Sequence, residues 1–162
     1  LVLEHLPRVA RDPADIASRT EMMAAAAMGA VAFQKGLGAM HALAHPIGAR
    51  FDTHHGMTNA VLMPYVLLAN RRAIAPTIDR LAAYVQIDGG FDGFVEHVVE
   101  LRDQLGVPSL LTDLGVDPAQ VGSIAAAAAV DPSAGGNPID LTEQLAAEIF
   151  TNACNGILEG VA

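Results

Sequence analysis

Four of the six histidines in this sequence fall between residues 36 and 64, in the segment GLGAMHALAHPIGARFDTHHGMTNAVLMP. His41 and His45 are four residues apart, so on a helix they share one face. His54 and His55 follow after a connection punctuated by Pro46, Gly48 and Asp52. Neutral imidazoles gathered from two helical segments are how a helical protein assembles a metal site. A single histidine on an apolar helix face is more often a hydrogen-bonded core residue, so the pattern, not any one residue, carries the chemistry. The segment lacks the glutamate of an HExxH zinc-protease site, and no Glu-x-x-His of a di-iron carboxylate bundle occurs anywhere.

The elements that position these histidines read as helices. Asp12-Pro13-Ala14-Asp15 is a start signal, with Asp12 as cap and Pro13 at the first helical position, for a helix reaching about Phe33. Ser18-Arg19-Thr20-Glu21 is a competing capping-box start. Gly36 and Gly38 then break the chain before a short helix bearing His41 and His45, ended near Pro46-Ile47-Gly48. A loop over 49–54 leads to a helix from His55 toward Arg72, kinked at Pro64. Further helices are expected over about 76–86, 91–105 and 118–129, the last opened by Asp117-Pro118. Asp131–Pro138 (DPSAGGNP) reads as a loop, and a helix over about 141–155 closes the chain. No strand or internal repeat is evident, so the expected fold class is all-α, a bundle of about six to eight helices in one domain spanning 1–162.

Composition agrees with that reading and narrows the partners. The 162 residues are 52% hydrophobic but only 4% aromatic, so the apolar mass is aliphatic and small, which favours close helix packing. A net charge of −9 argues against nucleic acid, because phosphate binding needs clustered Lys and Arg. The adjacent pair Arg71-Arg72 reads as a solvated helix end. The one cysteine, Cys154, lies in an apolar stretch and reads as a buried structural thiol. The longest apolar runs, such as Met22–Phe33, are too short to span a bilayer. The expectation is a cytoplasmic protein without a membrane or nucleic-acid partner.

The full pattern, Gly38-x-x-His41-x-x-x-His45-x-x-Gly48, then His55-Gly56-x-x-Asn59 and Pro64, resembles the signature of the iron-containing (group III) alcohol dehydrogenases. The Ala-rich stretch before Gly36, Pro64-Tyr65-Val66 and the Asn137-Pro138…Leu141-Thr142 segment extend the resemblance to that family's C-terminal helical domain. The resemblance implies that His41 and His55 are two of four metal ligands, for Fe(II) or alternatively Zn(II). It implies that His45 lies beside the nicotinamide of NAD(P), where it binds substrate or relays a proton; otherwise it orients the ligands. His54 departs from the family pattern and could compete with His55. Asn59 could fix the orientation of His55, or be a polar helix residue. Gly38 and Gly56 suit close backbone approach, and His5 and His97 are expected at the surface.

The same resemblance implies a small-molecule alcohol or aldehyde as substrate. It also implies an N-terminal nucleotide-binding domain, whose glycine-rich phosphate loop and further metal ligands this sequence lacks. The chain is therefore expected to be the C-terminal part of an NAD(P)-linked dehydrogenase, inactive by itself and a homo-oligomer. Two rivals stand beside it. One is a glycerol-dehydrogenase-like or dehydroquinate-synthase-like enzyme half on the same fold; the other is a stand-alone helical binding or assembly domain.

Overall fold

The computed structural model describes residues 1–158. It holds eight α-helices, and no strand occurs among the described residues. They are α1 (Val2–Arg11), α2 (Ile16–Ala32), α3 (Ala39–Phe51), α4 (His55–Ala69), α5 (Arg71–Tyr84), α6 (Gly90–Gln104), α7 (Val121–Ala129) and α8 (Glu143–Asn155). Among the described residues no helix is long and apolar enough to cross a membrane.

The histidine-bearing helices form the centre. α3 packs on α4 and on α7, α7 packs on α8, and α8 returns to α4. Leu43 and Ile47 of α3, Val61 and Leu62 of α4, Ile124 of α7 and Ile149 and Phe150 of α8 are all essentially inaccessible to solvent. Ala39, Ala42 and Ala44 alternate with these larger groups on α3, and Ala125, Ala128, Ala146 and Ala153 do so on α7 and α8. Small residues let the axes approach closely enough for the leucines and isoleucines to interdigitate. Truncating Leu43 or Phe150 to Ala would cost about 2–5 kcal/mol. A second, smaller core of Leu68, Phe91 and Val95 joins α4 to α6.

Helix ends depart from the sequence expectations in instructive ways. α2 starts at Ile16, neither at Pro13 nor after Ser18. Asp12 spends its carboxylate on the Ala14 N–H in a turn, and Asp15 is the cap, accepting from the Ser18 N–H at 3.0 Å. α4 runs continuously through Pro64 and ends at Ala69 instead of Arg72. There Asn70 turns its side-chain amide onto the Val66 carbonyl at 3.0 Å, a local bond that competes with continuing the helix. α5 begins directly at Arg71, with Pro76 inside it and not at its start. The Arg71-Arg72 pair is more than a solvated end: Arg71 makes a bidentate pair with Asp92 at 2.6 and 2.7 Å and lies over the Phe91 ring. Asp117-Pro118 does open a helical turn, with Asp117 accepting from the Ala119 N–H, and Thr142 caps α8.

The α1–α2 pair sits at the edge of this bundle. α1 touches α6, and α2 packs on α1. An apolar groove of about 710 Å³ opens between α1, α4, α5 and α6, lined by Leu3, Leu6, Met63, Leu81, Phe94 and Leu101 among others. α2 itself is nearly bare: Met23 is 74% exposed and Val31 72%. Its one buried residue is Ser18, whose hydroxyl meets His5 Nδ1 at 3.2 Å. His5 is therefore half-buried against α2, not at the open surface expected for it.

Candidate active site

α3 and α4 meet so that His41, His45 and His55 form one cluster. The ring centroids are 5.3 Å apart for His41 and His55, 5.7 Å for His45 and His55, and 6.1 Å for His41 and His45. The His45 and His55 rings are nearly parallel, at 13°. Phe33, from the turn after α2, stands edge-on to His41 at 5.8 Å. Spacing four on α3 sets His41 beside His45, and the fold of the 52–54 connection brings His55 at the first turn of α4 against both.

Asn59, one turn into α4, joins the two helices. Its side-chain amide nitrogen lies 2.9 Å from His55 Nε2 and 3.4 Å from His41 Nε2. Both Nε2 atoms therefore face the same side-chain amide. The Nε2 atoms of the two rings thus converge on one point, at present taken by the Asn59 amide. The Asn59 Oδ1 atom is buried without a hydrogen-bond partner. His41 is pushed below the usual histidine range, first by burial and then by His55 and His45 beside it. That keeps it in the neutral form a metal ligand needs. Among the described residues no group of three or more His, Cys, Asp or Glu is placed to hold a metal ion. The donor chemistry fits a cation, but as two imidazoles of an incomplete set.

His54 is turned to another task. It caps α4, its Nδ1 accepting from the Met57 N–H at 3.3 Å. Gly56 lies against the His54 ring, where an added Cβ would approach to 3.3 Å. His97 sits on α6, among the lining residues of a shallow depression with Leu3 and Gln86.

Sequence reasoning missed Asp131, which belongs to this cluster. Its Oδ2 accepts from His45 Nδ1 at 3.0 Å, across 86 positions of chain. Its N-terminal place in DPSAGGNP marked it only as a loop residue, and no local pattern links it to α3. Burial opposes its charge, but hydrogen bonds from Ser133 and His45 outweigh this and hold the carboxyl below its ordinary range. The same loop supplies Asn137, whose Oδ1 accepts the Ala39 N–H at 3.1 Å and so caps α3 where Gly38 offers no side chain. A Cβ at Gly136 would collide with the Leu37 carbonyl, so only glycine lets the loop lie this close to the start of α3.

Comparison with known proteins matches the chain to a family. Residues 1–154 match the model of the C-terminal domain of the Fe-containing alcohol dehydrogenase family. The chain is 39% identical over 144 residues to a 4-hydroxybutyrate dehydrogenase of Cupriavidus necator, covering 83% of this chain and 37% of that protein. It is 34% identical over 125 residues to a lactaldehyde reductase of Escherichia coli K12, covering 73% of this chain and 33% of that one. Among solved structures, a 1,3-propanediol oxidoreductase superimposes with a TM-score of 0.89 at 29% identity, over 94% of this chain and 42% of that one. The chain belongs to the iron-containing alcohol dehydrogenase family and corresponds to its C-terminal helical domain. It spans about two fifths or less of the length of these relatives.

Proposed function

We propose that this chain is the C-terminal, metal-binding part of an NAD(P)-linked alcohol dehydrogenase that interconverts a small alcohol and its aldehyde. The observation that carries the reading is the convergence of His41 and His55 Nε2 on one point at Asn59, with His45 stacked alongside. The activities of the relatives, dehydrogenases and reductases of small hydroxy compounds, support it.

His41 and His55 would hold Fe(II), or alternatively Zn(II), together with ligands from an N-terminal nucleotide-binding domain. When bound, the cation supplies Lewis acidity toward the alcohol oxygen, and the nicotinamide supplies a hydride acceptor. Asn59 holds the two Nε2 atoms together at the junction of α3 and α4, and its amide would swing aside as the cation takes their lone pairs. Leu43 and Ile47, buried in the central core, anchor the helix that carries His41 and His45. His45 takes the proton from the substrate hydroxyl as the carbinol carbon gives up its hydride, and returns it in the reverse direction. With two ligands only, the isolated chain binds metal weakly and turns nothing over. We place the complete enzyme in the cytoplasm as a homo-oligomer, a reading supported by the unpaired thiol of Cys154 and the bare apolar surface of α2.

The test uses the complete protein, loaded anaerobically with Fe(II) or Zn(II). The expected result is NAD(P)H formation from small alcohols, abolished by a chelator and restored by the metal. His41→Ala and His55→Ala should each lose bound metal by elemental analysis while keeping the helical circular dichroism. Full metal content in both variants, or equal turnover by the isolated chain, would overturn the reading.

A further inference from the structure

Asp131 is held by the fold independently of the histidine it meets. It follows α7, whose Ile124, Ala125 and Ala128 are buried in the central core where α7 packs against α3. Its own N–H donates to the Ala128 carbonyl at 3.2 Å, and its carbonyl accepts the Ala134 N–H at 2.9 Å. Its Oδ1 accepts the Ser133 N–H at 2.8 Å. That leaves Oδ2 facing His45. The carboxylate is 13% exposed whereas the His45 side chain is 44% exposed, so beyond the neighbouring His41 and His55 rings the contact to Asp131 is what fixes the His45 ring.

A carboxylate only accepts hydrogen bonds. The 3.0 Å contact therefore places the His45 proton on Nδ1 and leaves the lone pair on Nε2, across the ring from Asp131. An imidazole free in water favours the opposite tautomer, with the proton on Nε2. We propose that Asp131 is a positioning residue: it fixes the ring plane and tautomer of His45 so that Nε2 is the nitrogen offered to the substrate hydroxyl. This rests on the dehydrogenase reading above, in which His45 exchanges a proton with substrate.

Asp131→Asn separates this role from a structural one. The Asn oxygen must stay on the Ser133 N–H, which forces its NH₂ toward His45 Nδ1. A donor then meets a donor, and the ring is driven to carry its proton on Nε2, while shape and the Ser133 bond are kept. In the ¹⁵N-histidine-labelled chain, long-range ¹H–¹⁵N spectra should show His45 protonated on Nδ1 in the wild type and on Nε2 in the variant. Unchanged amide spectra elsewhere would confirm the fold. In the complete enzyme, Asp131→Asn should lower kcat about tenfold or more, with KM for the alcohol within about threefold. Asp131→Glu should recover part of the loss.

An unchanged tautomer in Asp131→Asn would overturn the inference and leave the dehydrogenase reading standing. So would a switched tautomer with unchanged kcat, provided His45→Ala is impaired. If neither Asp131→Asn nor His45→Ala changes kcat, the proton-exchange role of His45 fails and the inference falls with it. If the complete wild-type enzyme oxidises no alcohol although the tautomer switches as expected, the dehydrogenase reading itself fails.

Discussion

Asn70 and Asn137 hydrogen-bond each other twice, Asn137 Nδ2 to Asn70 Oδ1 at 2.9 Å and Asn70 Nδ2 to Asn137 Oδ1 at 3.1 Å, although 67 positions separate them. Asn70 is the single residue between α4 and α5, and Asn137 caps α3 through the Ala39 N–H. The pair therefore ties the far end of one histidine-bearing helix to the beginning of the other. Every amide hydrogen-bonding group in the pair has a partner, since Asn70 also reaches the Val66 carbonyl and Asn137 the Ile139 carbonyl.

Asn70 is almost fully buried. Replacing it with Ala strands the Asn137 amide and should lower unfolding stability by about 1–3 kcal/mol. Urea denaturation measures this directly. A loss no larger than that of an exposed control such as Gln34→Ala would show that the pair holds nothing together.

Asp15 caps α2 with both carboxylate oxygens on Ser18, one to its N–H at 3.0 Å and one to its hydroxyl at 2.7 Å. These bonds, the Ser18 N–H first, hold its carboxyl below the ordinary aspartate value of 3.8. A lowered folded value means that the stabilisation is fully present above the unfolded value and fades as pH falls through the folded one. The melting-temperature advantage of wild type over Asp15→Asn should thus be constant near neutrality and shrink only below pH 3.8. An advantage that persists unchanged to strongly acid pH would contradict the cap.

Cys154 is buried on α8, and burial pushes its thiol up to about 11. At pH 8 its thiolate fraction is then about one in a thousand, against roughly a quarter for a free cysteine. Iodoacetamide should modify the native chain far more slowly than the urea-unfolded chain. Equal rates would mean that the helix end opens readily.

Ile16, Met23, Met28 and Val31 of α2 are all exposed. Apolar surface of this extent favours covering. The chain by itself is expected to associate, and light scattering at rising concentration should report a mass above 16.8 kDa. Substituting Met23 and Val31 by Glu should return it to monomer. A wild-type monomer at the highest concentration would dispose of this expectation.

The helical class, the approximate positions of most helices, the family and the cluster of His41, His45 and His55 were all legible in the sequence, because each rests on short-range information. Helical spacing puts His41 beside His45, glycines mark the breaks at 36 and 38, and the motif containing His55 and Asn59 is contiguous. Helix starts were read less well where several polar residues competed for one role, as Asp12, Asp15 and Ser18 did at α2; burial of Ser18 against α1 settled that contest. Tertiary structure alone decided what the rings face. Asp131 reaches His45 because α7 packs on α3, and Asn137 caps α3 because glycine at 136 lets the loop lie against Leu37. Partners separated by 86 or 98 positions leave no periodicity behind. Their meeting depends on how whole helices bury their apolar faces, which only the assembled core determines.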